Sequence, residues 1–127
     1  MKKALVVIED DEDMRALIRY QLMQVRGLVL EGEAANADQA IELARRTAPD
    51  LVILDHFIEG KIMGLQAAPL IKEAAPGTRI LLFSSYDLEV ESSREPAIDR
   101  FLHKNRLPEL MPTVKEMLEL GEAAQKA

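Results

Sequence analysis

Three short runs in this chain are apolar at every position: Ala4 to Ile8, Leu51 to Leu54 and Ile80 to Phe83. A strand exposed on one face alternates apolar and polar residues. An unbroken run fits a strand covered on both faces, as in a parallel sheet with helices on either side. Such a sheet obliges the intervening segments to be helical, and the spacing agrees. Met14, Leu17, Ile18, Leu22 and Val25 recur at three- and four-residue steps, with Asp13 placed to cap that helix and Gly27 to end it. Ala37 to Thr47 repeats the pattern with Ala40, Ile41 and Ala44 inward, Asn36 as cap and Pro49 beyond the end. A third helix is expected over Leu65 to Ala75, stopped by Pro76-Gly77. A fifth is expected over Pro108 to Leu120, punctuated by Gly121. The fourth segment, Asp87 to Glu95, is charged and poorly periodic, so a short or irregular helix is expected. Two weaker strands complete the set, at Leu28 to Leu30 and around Arg100-Phe101-Leu102. The expectation is one α/β domain over 1–120, with a frayed tail at 121–127.

Composition removes several functions. With no cysteine, a disulfide framework and a thiolate metal site are excluded, which suits a reducing, cytoplasmic setting. The net charge of −6 and the lack of a Lys/Arg-rich run argue against direct nucleic-acid binding. No apolar run reaches membrane-span length. The opening Met1 to Ile8 superficially resembles a signal peptide, but it is short and runs straight into the acidic stretch Glu9 to Asp13.

Ligands of open parallel sheets bind at the carboxyl ends of strands, so the residues after each run carry the interest. Glu9, Asp10 and Asp11 follow the first run, Asp55 the third, Ser84 and Ser85 the fourth, and Lys104 the fifth. Carboxylates this close repel by roughly 3–4 kcal/mol per pair at an effective dielectric of about 20. They would share a proton or bind a cation. An oxygen-only donor set favours a hard ion such as Mg²⁺. Asp55 could then act as a nucleophile toward phosphorus, with Lys104 and the Ser84 hydroxyl stabilising the transferred oxygens.

The motifs Val6-Val7-Ile8-Glu9-Asp10-Asp11, Pro49 to Asp55, Leu82-Phe83-Ser84-Ser85 and Phe101-Leu102-His103-Lys104 together resemble a response-regulator receiver domain over roughly residues 3 to 120. The resemblance implies a flavodoxin-like, doubly wound five-stranded parallel sheet in the order 2-1-3-4-5. It implies that Asp55 is the phosphoacceptor and a metal ligand. Asp10 becomes the preferred further ligand, Glu9 its helper, and Phe57 the donor of a backbone carbonyl. The metal would be Mg²⁺ or Mn²⁺. Ser84 and Phe101 take the switch positions, Phe101 coupling the site to the face of helix four, strand five and helix five. Phe57 and Tyr86 stand where the family tunes hydrolysis of the acyl phosphate. The implied donor is a histidine kinase or phosphotransfer protein, and the output is contact with an unidentified downstream protein; a homodimer is compatible. No enzymatic activity is expected beyond self-phosphorylation and slow self-dephosphorylation.

Three departures stand out. Glu59 replaces the family's usual proline, and the stretch to Gly64 is one residue long; Glu59 or Lys61 could reach into the site. Asn105 follows Lys104 where relatives often carry proline, so a trans bond is expected. Ser84 to Lys104 is about two residues short and holds Pro96, pointing to a truncated helix four and an altered output face. His56 and His103 read as incidental, and Met63, Met111 and Met117 as fillers. The competing class is a phosphorylation-independent pseudo-receiver acting as an interaction module. A Mg²⁺-dependent phosphohydrolase would need a second acid where Phe57 stands.

Overall fold

The computed structural model describes residues 1–8 and 11–121. Glu9, Asp10 and residues 122–127 lie outside the described residues. Five parallel strands form one sheet in the order β2-β1-β3-β4-β5: β1 (Lys2–Val7), β2 (Leu28–Ala34), β3 (Leu51–Leu54), β4 (Arg79–Ser84) and β5 (Arg100–His103). This is the expected flavodoxin-like arrangement. The helices between them are α1 (Glu12–Met23), α2 (Ala37–Thr47), α3 (Gly64–Ala74), α4 (Glu89–Ser93) and, after β5, α5 (Leu110–Met117).

Strand alternation divides the apolar run residues between two layers. Ala4, Val6, Leu51, Ile53, Leu81 and Phe83 face α1 and α5, and join Ile18, Leu22, Leu110 and Val114. Leu5, Val7, Val52, Leu54, Ile80 and Leu82 face α2 and α3. Those two helices meet the sheet through Ala40, Ala44, Ala67, Ala68 and Ile71, all fully buried. Small residues there let the helices approach closely. The three central strands therefore have no polar outlet except at their ends.

Several expectations need correction. α1 starts at Glu12, and its cap is Asp11, whose side chain accepts from the Met14 amide at 3.0 Å. Asp13 lies within the first turn instead, where its charge suits the helix dipole. The helix ends at Met23, and Gly27, at φ +82°, turns the chain into β2. Leu17 stays 38% exposed, because the buried stripe runs Ile18, Leu22, Val25. β2 continues past Leu30 to Ala34 despite Glu31 and Glu33, since it is an edge strand. Its pairing with β1 steps from Leu30 to Gly32, leaving Glu31 as a bulge. α5 is shorter than expected at both ends. Lys104–Glu109 runs as a 3₁₀ segment with a non-helical Arg106, so the α-helix begins only at Leu110. α4 has the five residues of a truncated helix, as expected, and only Ser92 of it is buried.

The long edge strand is tied to α1 by a two-pronged pair. Arg19 Nε and Nη2 meet Glu33 Oε2 and Oε1 at 2.7 and 2.9 Å. That hydrogen bonding holds the Glu33 carboxyl below the usual carboxylate range. A carboxyl lowered on folding adds stability above its usual pKa and loses it as pH falls through the folded value. Arg19→Gln should thus lower the melting temperature slightly at about pH 7, and the difference should shrink as pH falls below the usual carboxylate range. Thermal melts followed by circular dichroism check this; a difference independent of pH would refute it.

Candidate functional site

β1 and β3 end level with each other. The Asp55 amide donates to the Val7 carbonyl at 2.9 Å, in continuation of the ladder that pairs Val7 with Leu54. The β2-β1-β3 order makes this the point where successive connections leave in opposite directions, and where a crevice opens. Asp55 stands in it, 6% exposed. Its Oδ2 meets Lys104 Nζ at 2.7 Å. Its Oδ1 accepts from the Phe57 amide at 3.3 Å. Lys104 arrives from β5, whose last residue His103 pairs with Ser84 of β4. Ser84 is fully buried, and its Oγ accepts from the Tyr86 amide at 3.2 Å. The expected Asp55 and Lys104 are thus in direct contact, with Ser84 at the end of the strand between theirs.

The loops after β3 and β4 touch through aromatic rings. Phe57 and Tyr86 pack edge to face at 4.6 Å and 66°. His56 adds an edge contact to Phe57 at 5.1 Å. Phe101 lies three residues before Lys104, half-buried on the α2–α3 side. It lines a cavity of about 230 Å³ beneath α4 with Ser92 and Ile98.

The long loop is absorbed by pairing. The Glu59 amide donates to the Ala35 carbonyl at 2.9 Å, and Glu59 forms a parallel bridge with Asn36. Glu59 and Lys61 are exposed and form no ion pair among the described residues. They line a cavity of about 420 Å³ with Asn36 and Asp38, the former the expected cap of α2. The Lys104–Asn105 peptide is trans.

Two residues of this loop carry more than the sequence indicated. His56, read as incidental, accepts the Leu65 amide on its Nδ1 at 3.2 Å. Its proton therefore sits on Nε2, and burial lowers its pKa, keeping the ring neutral. His103 likewise accepts from the Asn105 amide, at 3.0 Å. Gly64 begins α3 against the acceptor loop. A Cβ there would lie 2.1 Å from the Asp55 carbonyl oxygen and 2.8 Å from His56 Cα. A glycine closing a loop was the only hint available from sequence.

The acidic pair Glu9 and Asp10 lies outside the described residues. Among the described residues no group of three or more metal-binding side chains converges. The donors that are described, the Asp55 carboxylate and oxygen-bearing neighbours, are of the hard type that suits Mg²⁺ rather than a soft metal.

Sheet order and strand-end residues define the class, and comparison with known proteins agrees. Residues 5–115 match the family model described as response regulator receiver domain, and the chain belongs to that family. It is 30% identical to the uncharacterized transcriptional regulatory protein YxjL of Bacillus subtilis, over 95% of this chain and 56% of that protein. It is 29% identical to the nitrate/nitrite response regulator protein NarL of Escherichia coli K12, over 93% of this chain and 55% of that protein. The chain thus spans about half the length of these curated relatives. Among solved structures it resembles the Thermotoga maritima response regulator TrrA in complex with Mg²⁺-BeF, with a TM-score of 0.77 and 30% identity over 92% of this chain and 99% of that one. TrrA has also been solved in complex with the histidine kinase ThkA. No helix among the described residues is long and apolar enough to cross a membrane.

The clash at position 64 gives a direct test. Gly64→Ala should destabilise the protein by about 1–3 kcal/mol through forced backbone displacement. Gly77→Ala, where nothing lies within 4 Å, should change stability by less than about 0.5 kcal/mol. Urea unfolding of the two variants decides; equal values would show that α3 yields freely.

Proposed function

We propose that the chain accepts a phosphoryl group on Asp55 from the phosphohistidine of a histidine kinase or phosphotransfer protein, and thereby alters a protein-contact surface. The observation that carries this is the buried contact of Lys104 Nζ with Asp55 Oδ2, at 2.7 Å. An Asp55 oxygen attacks phosphorus, and the phosphorus–nitrogen bond of the donor breaks with its electron pair returning to the imidazole. The product is an acyl phosphate. Lys104 exchanges its carboxylate partner for phosphoryl oxygens, and keeps the added charge compensated. Ser84 Oγ accepts from Tyr86 and retains a proton to donate to the same oxygens.

Mg²⁺, or Mn²⁺ in its place, would be held by Asp10 and Asp55, with Glu9 assisting and the Phe57 carbonyl completing the protein ligands. Bound there, it would neutralise charge on the carboxylates and on the transferred group. Support comes from the donor set and from TrrA, whose structure carries Mg²⁺-BeF. The complex of TrrA with ThkA supports the kinase as donor. Ser84 and Phe101 are the proposed switch, leading to the face of α4, β5 and α5. The small α4 leaves that face unlike the common pattern. The setting proposed is cytoplasmic, with no membrane or direct nucleic-acid contact by this stretch of chain.

Phe57 and Tyr86 would shield the acyl phosphate, because bulky rings in contact leave little room for attacking water. The test is incubation with phosphoramidate or acetyl phosphate plus Mg²⁺, read by intact mass. The wild-type protein should gain one phosphoryl group and Asp55→Asn none. The group should persist well beyond seconds and be lost faster in Tyr86→Ala. A folded wild-type protein that gains no mass would establish the pseudo-receiver reading instead, and a lifetime of seconds would overturn the shielding role.

A further inference from the structure

The first turn of a helix has amides without partners inside the helix. At the start of α3 the amide of the N-cap residue, Met63, donates to Gln66 Oε1 at 3.1 Å. The acceptors for the next two amides come from His56, eight and nine residues upstream. The Gly64 amide donates to the His56 carbonyl at 2.7 Å, and the Leu65 amide donates to His56 Nδ1 at 3.2 Å. One residue thus holds two consecutive amides of α3, one through its backbone and one through its ring. Gly64 lies so close to the Asp55–His56 peptide that a methyl group would overlap the Asp55 carbonyl oxygen. α3 in turn is anchored in the core by Ala67, Ala68 and Ile71.

The geometry points to His56 as a positioning residue: its Nδ1 clamps α3 onto the Asp55–His56 peptide and so fixes the direction of the Asp55 carboxylate. This rests on the reading of Asp55 as acceptor. The chain of contacts is short. The peptide plane on the carboxyl side of Asp55 packs directly against Gly64, and the next peptide, His56–Phe57, is held by the bond from the Gly64 amide. Asp55 itself is pinned on its amino side by Val7. With both flanking peptides held, the side chain keeps only its two torsions, χ1 and χ2, and Lys104 and the Phe57 amide direct them. Without the Nδ1 acceptor the Leu65 amide is orphaned and the first turn of α3 lifts. The acceptor then samples orientations from which in-line attack on phosphorus is poor, and errors of about 1 Å cost up to about 10²-fold in rate.

The choice of variants separates the ring from its acceptor. Asn carries Oδ1 at the position of His Nδ1, two bonds from Cβ, so His56→Asn keeps the hydrogen bond without the imidazole. His56→Leu keeps bulk and removes the acceptor. His56→Gln moves the acceptor one bond too far. Each is compared with wild type for phosphorylation rate by phosphoramidate and Mg²⁺, for melting temperature, and for exchange of the Leu65 amide by ¹H–¹⁵N NMR. His56→Leu and His56→Gln should phosphorylate about tenfold slower or worse, with Leu65 exchange about five- to tenfold faster. His56→Asn should match wild type within about twofold on both readouts. Should His56→Leu fail to fold, His56→Gln against His56→Asn makes the same comparison. Equal rates for all variants, or an Asn variant as slow as Gln, would overturn the positioning role. The exchange readout does not involve Asp55 chemistry. A wild-type protein that takes up no phosphoryl group, while Leu65 exchange follows the expected order, would refute the acceptor reading and leave the clamp standing.

Discussion

A carboxylate and an ammonium that are each mostly withdrawn from water depend on each other. Asp55 and Lys104 keep only 8% and 16% of their side-chain surface and meet at 2.7 Å. Leaving one member of such a pair without its partner costs about 3–5 kcal/mol, because the remaining charge stays desolvated. The sheet offers no alternative site for either group. Its three central strands are apolar on both faces, so polar side chains are admitted only where the strands end. The ends of β3 and β5 are brought to one rim by a register that pairs Leu54 with Leu82 and Ser84 with His103. The covering helices hold that register, and so serve the ion pair indirectly.

Where a segment's burial was uniform, the sequence was informative. β3 and β4 are legible because every residue in them meets a helix layer, and α2 because its alanine stripe and Asn36 cap leave one solution. β2 was half legible: at the sheet edge, Glu31 and Glu33 reach solvent or α1 without cost, so polarity stops marking the strand's end. The α1 cap was ambiguous because any aspartate in the acidic run could accept an amide; the phase of Ile18 and Leu22 against the sheet selects Asp11. The start of α5 was hidden because Lys104 to Glu109 favours local 3₁₀ turns and side-chain bonds such as Arg106 to Glu109.

The candidate site divides the same way. Asp55 and Ser84 follow apolar runs directly and Lys104 follows the last residue of β5, so strand geometry alone delivers them to one edge. The Phe57–Tyr86 contact arises between two loops from different strands, whose paths no local pattern dictates. His56 escaped notice because its partner, Leu65, lies beyond a loop whose length follows from pairing with Ala35 and Asn36 rather than from turn chemistry. Tertiary contacts that fix loop conformation are the information a single sequence carries least openly.

The bulge at Glu31 bears on behaviour at high concentration. An exposed strand edge invites pairing with another chain. β2 ends the sheet on one side, and its extra residue interrupts the regular spacing of backbone donors and acceptors there. Glu31 also sets an exposed carboxylate at that irregularity. A second molecule approaching this flank would meet a broken ladder and a like charge together. Lateral stacking of copies into extended ribbons is thereby frustrated on the β2 flank, leaving the short β5 as the sheet's other margin.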